Sequence, residues 1–308
     1  MPLLLLPAAC QRSGKRRVGV IPKGRAHMFW QSVHAGAVKA AREANVDLEW
    51  NGPVSEADFN GQLQIVESMI NKRVDAIGLA PIDRRAMAGV VERASRSGVP
   101  VVIFDSAVDT DAFVTQVATD NYAAGAVAAQ RLAEIINGKG KVAVVATMAG
   151  AASTLAREQG FEDAIKRDHP GIQIVDKRFG NSEVAASLRV AENMLTAFGD
   201  LSGMFASNES STAGAAQALK SRGRQLKLVG FDSGPTLEAD LRAGVIDSLV
   251  VQHPFKMGYE TVMSSIKHLN GEKLQKIQNL EPKLVTRDNI ASPDVQERIN
   301  PDLKTYLG

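Results

Sequence analysis

The sequence predicts an α/β protein built from two similar doubly wound parallel-sheet domains. A three-segment hinge joins them, with a ligand cleft between. Three observations carry this. Short apolar runs alternate with helical runs along nearly the whole chain. An apolar run ends twice in an aromatic residue and an aspartate, once in each half: Val101-Val102-Ile103-Phe104-Asp105 and Leu228-Val229-Gly230-Phe231-Asp232. Past Asp232 there are more elements than a second domain needs. Runs so short and apolar read as strands buried on both faces. Ligands of open α/β sheets bind beyond the carboxyl ends of the strands. Each half therefore brings a carboxylate, an acceptor for neighbouring hydroxyls, to a ligand position. Two such half-sites facing each other fit a small polyhydroxylated molecule.

Each element follows in order. Val18 to Ile21 is a strand, Phe29 to about Ala44 a helix, and Asp47 to Trp50 a second strand. Ser55 and Asp58 open a helix whose apolar face carries Phe59, Leu63, Val66 and Ile70. A strand from Asp75 to Leu79, a helix from Asp83 to Arg96 and a strand from Pro100 to Phe104 complete the first set. The pattern restarts with a strand from Phe113 to Ala118 and a helix from Tyr122 to Ile136. Strands then begin at Val142, Ile172, Gly203 and Leu226, separated by helices from Thr154, Glu183 and Ser211. Strand–helix alternation of this regularity means parallel sheets. After Asp232 come a helix to Ala243, a strand from Ile246 to Val251, a helix from Phe255 to Leu269 and a last extended stretch from Leu280 to Val285. These extra elements imply that the chain crosses back near Gln252 and returns near Pro282. The expected domains are 17–120 with 253–282, and 121–252 with 283–308.

Composition excludes several classes. A chain of 308 residues exceeds one typical core. A net charge of +2 and 5% aromatic residues argue against nucleic-acid binding. No apolar stretch approaches the roughly 18 residues of a membrane span. The dinucleotide fingerprint G-x-G-x-x-G is missing after the first strand, and neither a Walker-type loop nor G-x-S-x-G occurs. The five histidines do not fall at metal spacings. His34, one turn beyond Trp30, reads as structural. No cofactor, metal or catalysis is expected, and the chain is expected to be monomeric. At the N-terminus, Met1 to Cys10 is a short apolar run ending in small residues and the lone cysteine. It looks like the end of a bacterial lipoprotein signal, with Cys10 as the lipid-bearing residue and 1–16 as signal remnant and linker. It lacks a basic leading segment, and Pro7 stands where leucine is preferred. The competing reading is a frayed terminus with an inert cysteine.

Six stretches together resemble a known family: Phe29-Trp30-Gln31-Ser32-Val33-His34-Ala35-Gly36-Ala37, Val99 to Ser106, Arg157-Glu158-Gln159-Gly160-Phe161, Phe205-Ala206-Ser207-Asn208-Glu209, Val229 to Asp232, and Val251-Gln252-His253-Pro254. Their order and spacing resemble the bacterial periplasmic sugar-binding proteins of the ribose-binding type, the receptor components of ABC importers. The resemblance runs from about Arg17 to Val285. It implies a periplasmic or cell-surface receptor, closing on a monosaccharide or polyol and docking on permease subunits. It makes Phe29 and Trp30 the faces that sandwich a sugar ring, against their alternative as first-turn core residues. It makes Asp105 and Asp232 hydroxyl acceptors, against helix caps. Arg157 becomes a donor fork, against a solvated helix face. Asn208 and Gln252 become amides that donate and accept, against a helix cap and a purely structural hinge residue. Lys23 and His27 align with contacting positions, against solvated loop charges.

The chain also departs from the ribose pattern. Ala80 replaces an amide, Ser106 replaces an arginine, and an aromatic is replaced near Ser182. The resemblance therefore implies a different pentose, hexose or sugar alcohol, with a sugar acid left open through Lys23. The alternative to import is the effector domain of a sugar-responsive regulator, or a signalling receptor. The roughly 17 residues before the first strand are too few for a DNA-binding helix-turn-helix.

Overall fold

A computed structural model describes residues 14–308. Cys10 and the signal-like segment lie outside the described residues. In chain order the elements are β1 (Arg17–Ile21), α1 (Met28–Glu43), β2 (Asp47–Trp50), α2 (Phe59–Asn71), β3 (Ala76–Leu79), α3 (Ala88–Arg96), β4 (Val101–Phe104) and β5 (Gln116–Thr119). There follow α4 (Asn121–Ile135), β6 (Gly140–Ala146), α5 (Ala152–Asp168), β7 (Ile172–Phe179), α6 (Val184–Ala197), β8 (Leu201–Ala206), α7 (Glu209–Arg222), β9 (Lys227–Phe231), α8 (Pro235–Ala243) and β10 (Ser248–Val251). The chain ends with α9 (Pro254–Leu269), β11 (Ile277–Leu280), β12 (Lys283–Thr286), α10 (Pro293–Ile299) and α11 (Leu303–Leu307).

The strands form two six-stranded sheets, ordered β11-β5-β4-β3-β1-β2 and β12-β10-β9-β8-β6-β7. Every pairing in the first is parallel, and in the second only β10–β12 is antiparallel. Successive strand side chains point to opposite faces. Val102 and Phe104 accordingly join a core with α1 and α9, while Val101 and Ile103 join one with α2 and α3. The second sheet repeats the plan, with α4 and α5 on one face and α6, α7 and α8 on the other. This is the expected α/β architecture. Asp58 and Asp120 cap α2 and α4 through the backbone N–H groups of Gly61 and Ala123.

Each half also contains a tight helix pair. A Cβ on Gly36 would stand 1.9 Å from the Phe255 carbonyl oxygen, and one on Gly258 1.9 Å from that of Val33. In the second half the reciprocal pair is Gly125, against the Arg157 carbonyl oxygen at 1.9 Å, and Gly160, against that of Tyr122 at 2.1 Å. Only glycine permits this approach of α4 to α5, and it fixes where Arg157 enters the cleft.

Some boundaries differ from expectation. α3 starts at Ala88 rather than Asp83, because the Asp83 carboxylate accepts from Arg85 and Ala86 N–H and closes a turn first. The stretch from Leu280 to Val285 is not one strand. It divides at Glu281-Pro282 into β11, in the first sheet, and β12, in the second; proline cannot donate to a ladder. Residues 283–308, expected together in the second domain, divide as well. β12 and α10 pack there, through Val285, Val295 and Ile299. α11 instead lies on α1, where Arg42 donates to the carbonyl oxygens of Thr305 (3.1 Å) and Tyr306 (3.3 Å). Tyr306 also meets the Phe255 ring at 5.5 Å. The tail thus spans both halves.

Candidate functional site

The carboxyl ends of the two sheets face each other, and most of the residues singled out in the sequence meet there. Asp105 follows β4 with φ 60°, and Asp232 follows β9 with φ 68°. Aspartate tolerates this left-handed conformation better than most residues. In the first half-site, Lys23 Nζ lies 2.6 Å from Asp105 Oδ2, both side chains 5% exposed or less. Lys23 also donates to Ser153 Oγ of α5 at 3.0 Å. Ser106 donates to the same hydroxyl at 3.1 Å and accepts from the Ser153 backbone N–H at 3.0 Å. Lys23 is therefore no solvated loop charge. No helix follows Asp105, so its carboxylate is not a cap.

In the second half-site, Arg157 is 2% exposed. Its Nε donates to Asn121 Oδ1 at 2.7 Å and its Nη1 to the Ser207 carbonyl at 2.9 Å. The guanidinium lies over the Phe231 ring at 3.9 Å and stands 4.0 Å from Asp232. Asp232 accepts from Gln252 Nε2 (2.7 Å) and from the Glu209 backbone N–H (3.0 Å). Burial raises the Asp232 carboxyl and outweighs the opposing Arg157 charge. Burial likewise lowers Arg157 against the surrounding carboxylates, although a guanidinium stays protonated in proteins. Asn208 is the cap of α7, its Oδ1 accepting from Ser211 N–H at 2.9 Å, while its Nδ2 donates to Ser182 Oγ at 3.3 Å.

The halves are joined by the hinge and by bonds across the cleft. Gln252 lies where β10 of the second sheet passes to α9 of the first half. Its Oε1 accepts from Thr119 at the end of β5 (2.7 Å) while its Nε2 serves Asp232. One amide thus ties both sheet ends together.

Three residues that the sequence did not single out as ligand contacts add cross-cleft bonds. Glu56, in the loop after β2, has a side chain 12% exposed. Its Oε1 accepts from Trp30 Nε1 at 2.6 Å and faces His27 Nδ1 at 3.3 Å, while its Oε2 accepts from Ser182 of the second half at 2.6 Å. Burial would raise this carboxyl. His27, Lys23 and the bonds from Ser182 and Trp30 outweigh it, and the net direction is down. Glu209, at the start of α7, accepts from the backbone N–H groups of Met28 (3.4 Å) and Phe29 (3.3 Å) at the start of α1. Burial, with Asp232 adding to it, pushes Glu209 up to about 7. The third is Ser153. The available signal was position alone: all three sit in or just after a loop at a strand's carboxyl end.

Phe29 and Trp30 correct one expectation. Consecutive helix residues point about 100° apart, and these rings meet edge to face, 4.8 Å between centroids at 89°. They cannot hold a sugar ring between parallel faces. Trp30 also meets Phe104 edge-on at 6.3 Å, and both rings join the core of the first half. His34 stacks on Trp50 at 4.4 Å, away from the cleft network. Behind the first half-site, buried Gln62 donates to the carbonyl oxygens of Pro22 and Ala80 and accepts from Ile82 N–H, holding two cleft loops. Among the described residues no cluster of histidine, cysteine and carboxylate side chains forms a metal site.

A family model for the periplasmic binding protein domain matches residues 18–273. The chain belongs to the periplasmic binding protein family. It is of the ribose type, as the resemblance implied. This binding protein is 30% identical to the ribose import binding protein of Bacillus subtilis, over 84% of this chain and 83% of that one. It is also 30% identical to the D-ribose/D-allose-binding protein of Pseudomonas aeruginosa, with the same coverage. Among solved structures it is similar to a carbohydrate transporter solute-binding protein of Agrobacterium radiobacter in complex with D-arabinose, at TM-score 0.91, 31% identity and 94% and 100% coverage. It is similar as well to an ABC transporter solute-binding protein of Agrobacterium vitis with bound D-fucose, at TM-score 0.89, 34% identity and 92% and 99% coverage. These relatives are sugar-binding transport receptors rather than enzymes. Their family is periplasmic, and no helix among the described residues is long and apolar enough to cross a membrane.

Proposed function

We propose that this binding protein captures a monosaccharide or related polyol between its two lobes by hinge closure and delivers it to an ABC permease. The observation that carries the reading is the pair of facing half-sites. Asp105 with Lys23, and Asp232 with Arg157, sit buried at the carboxyl ends of two sheets. Carboxylates and cations together offer acceptors and donors to vicinal hydroxyls, and charge-assisted bonds are roughly twice as strong as neutral ones. The edge of the Phe29–Trp30 pair supplies apolar surface for a C–H face, with His27, Asn208 and Gln252 at the rim. The chain passes between the sheets at 119–121, 251–254 and 280–283, and such connections are where lobes rotate.

A thermal-shift screen against pentoses, hexoses and sugar alcohols tests this. A ligand at about 100 times its dissociation constant adds roughly 2.7 kcal/mol of stability. A large shift confined to one stereochemical series is expected. Silence from all of them, in ligand-free protein, would overturn the sugar reading.

A further inference from the structure

Four acidic side chains, Asp105, Glu56, Asp232 and Glu209, converge in the cleft on two cations, Lys23 and Arg157, with His27 beside Glu56. Glu158 lies nearby but is matched by Lys177 at 3.0 Å. Both cations are already engaged. Lys23 is in contact with Asp105 and Ser153, and Arg157 serves Asn121 and the Ser207 carbonyl. Lys23, through which the sequence left a sugar acid open, is in contact with a carboxylate of its own lobe.

Glu56 accepts across the cleft from the Ser182 hydroxyl at 2.6 Å, a closer bond than the 3.4 Å contact of Asp105 with Ser153. Its bonds form a chain running from His27 and Trp30 in the first half through Ser182 to Asn208 in the second. The resemblance has an aromatic replaced near Ser182; the small hydroxyl there meets the Glu56 carboxylate. A carboxylate has about four lone-pair directions, and three partners leave room for a ligand hydroxyl.

We propose that Glu56 is a specificity-determining residue and that it turns the site against anionic sugars, so that a carboxylate on the ligand is penalised far more than an ammonium at a comparable position. The inference rests on the sugar-receptor reading above. Its physical basis is that like charges brought together in a water-poor cleft repel strongly, and natural specificity uses such repulsion.

The test is titration calorimetry of the full chain with a neutral aldose that binds, the uronic acid of the same stereochemistry and its amino-deoxy analogue. The acid should bind about 100-fold or more weaker than its parent, and the amino analogue should lose less. In Glu56→Gln the gap between acid and parent should shrink by about tenfold or more, and in Ser182→Ala, which keeps the carboxylate, the gap should persist. An acid that binds wild type as tightly as its parent overturns the inference, as does an unchanged gap in a folded Glu56→Gln. Should that variant fail to fold, the wild-type ranking of acid against amine decides. Silence from every neutral sugar sinks the receptor reading and this inference with it. Parent and acid binding alike sinks the inference alone.

Discussion

The two half-sites place an aspartate at the same point in equivalent strands, with nearly the same backbone twist, yet they satisfy it differently. Asp105 has its own counter-ion in contact, Lys23 at 2.6 Å, and both come from one lobe. Asp232 has Arg157 only at 4.0 Å and is held instead by Gln252 and the Glu209 backbone. Lys23 does little besides neutralise Asp105 and touch Ser153. Arg157 also supports Asn121 and the Ser207 carbonyl and covers Phe231. The first half-site is a self-contained ion pair. The second is a network routed through the hinge, with its cation committed to the scaffold.

The sharpest way to break this comparison is to remove each pair whole. Arg157→Ala should lower the stability of the ligand-free protein by about 3–5 kcal/mol, the range for stripping one partner from a buried ion pair, and should abolish most ligand binding. Lys23→Met should show a similar stability loss. The double variants then separate the sites. Lys23→Met with Asp105→Asn leaves no buried charge behind and should return to within about 1 kcal/mol of wild type. Arg157→Met with Asp232→Asn should stay about 3 kcal/mol down, because Asn121 and the Ser207 carbonyl lose their donor. Denaturant unfolding of all variants measures this. Equal recovery of both doubles would refute the distinction.

A smaller effect concerns Glu209, the second carboxyl beside Asp232. Its carboxyl rises from 4.5 to about 7, with burial as the main cause. The folded chain therefore holds a proton that the unfolded chain has released between those values. Its contribution to stability is complete below about pH 4.5 and is lost as pH climbs through about 7. Glu209→Gln cannot ionise. Relative to that variant, wild type should lose on the order of 2 kcal/mol between pH 5 and pH 8, after allowance for partial exposure. His253, lowered to about 4 chiefly by burial, acts in the opposite direction at acid pH but is common to both proteins. Parallel stability curves would show that the second half-site does not titrate near neutrality.

How much of this was legible depended on which residues carry the pattern. The sheets were readable because inner strands such as β3 and β4 are apolar on both faces, and the twin aspartates because they end matching runs. Arg157, Asn208 and Gln252 stood in motifs whose order resembled the family. The ring geometry of Phe29 and Trp30 was accessible from helical rotation alone, and the family comparison masked it. Glu56 was not legible. It lies in an irregular loop whose path is set by contacts with Trp30 and Ser182, distant in sequence. The return of α11 to α1 was hidden for the same reason: it depends on Arg42 meeting the carbonyl oxygens of Thr305 and Tyr306, some 260 residues away.

The mildest perturbation probes Ser153, where the second lobe touches the Lys23–Asp105 pair. Ser153 Oγ accepts from Lys23 and Ser106, and lies 3.4 Å from Asp105 Oδ2 as a weak donor. Ser153→Ala removes that hydroxyl but leaves the backbone bond from Ser153 N–H to Ser106. The Lys23–Asp105 pair keeps its own contact, so no buried charge is orphaned. The cost should be that of one or two ordinary hydrogen bonds, about 1 kcal/mol, and should fall on the arrangement in which Ser153 meets Lys23 and Ser106. Calorimetry should therefore show ligand affinity reduced about fivefold. A loss approaching that of Lys23→Met would mean that the first ion pair depends on the second lobe after all, and is not self-contained.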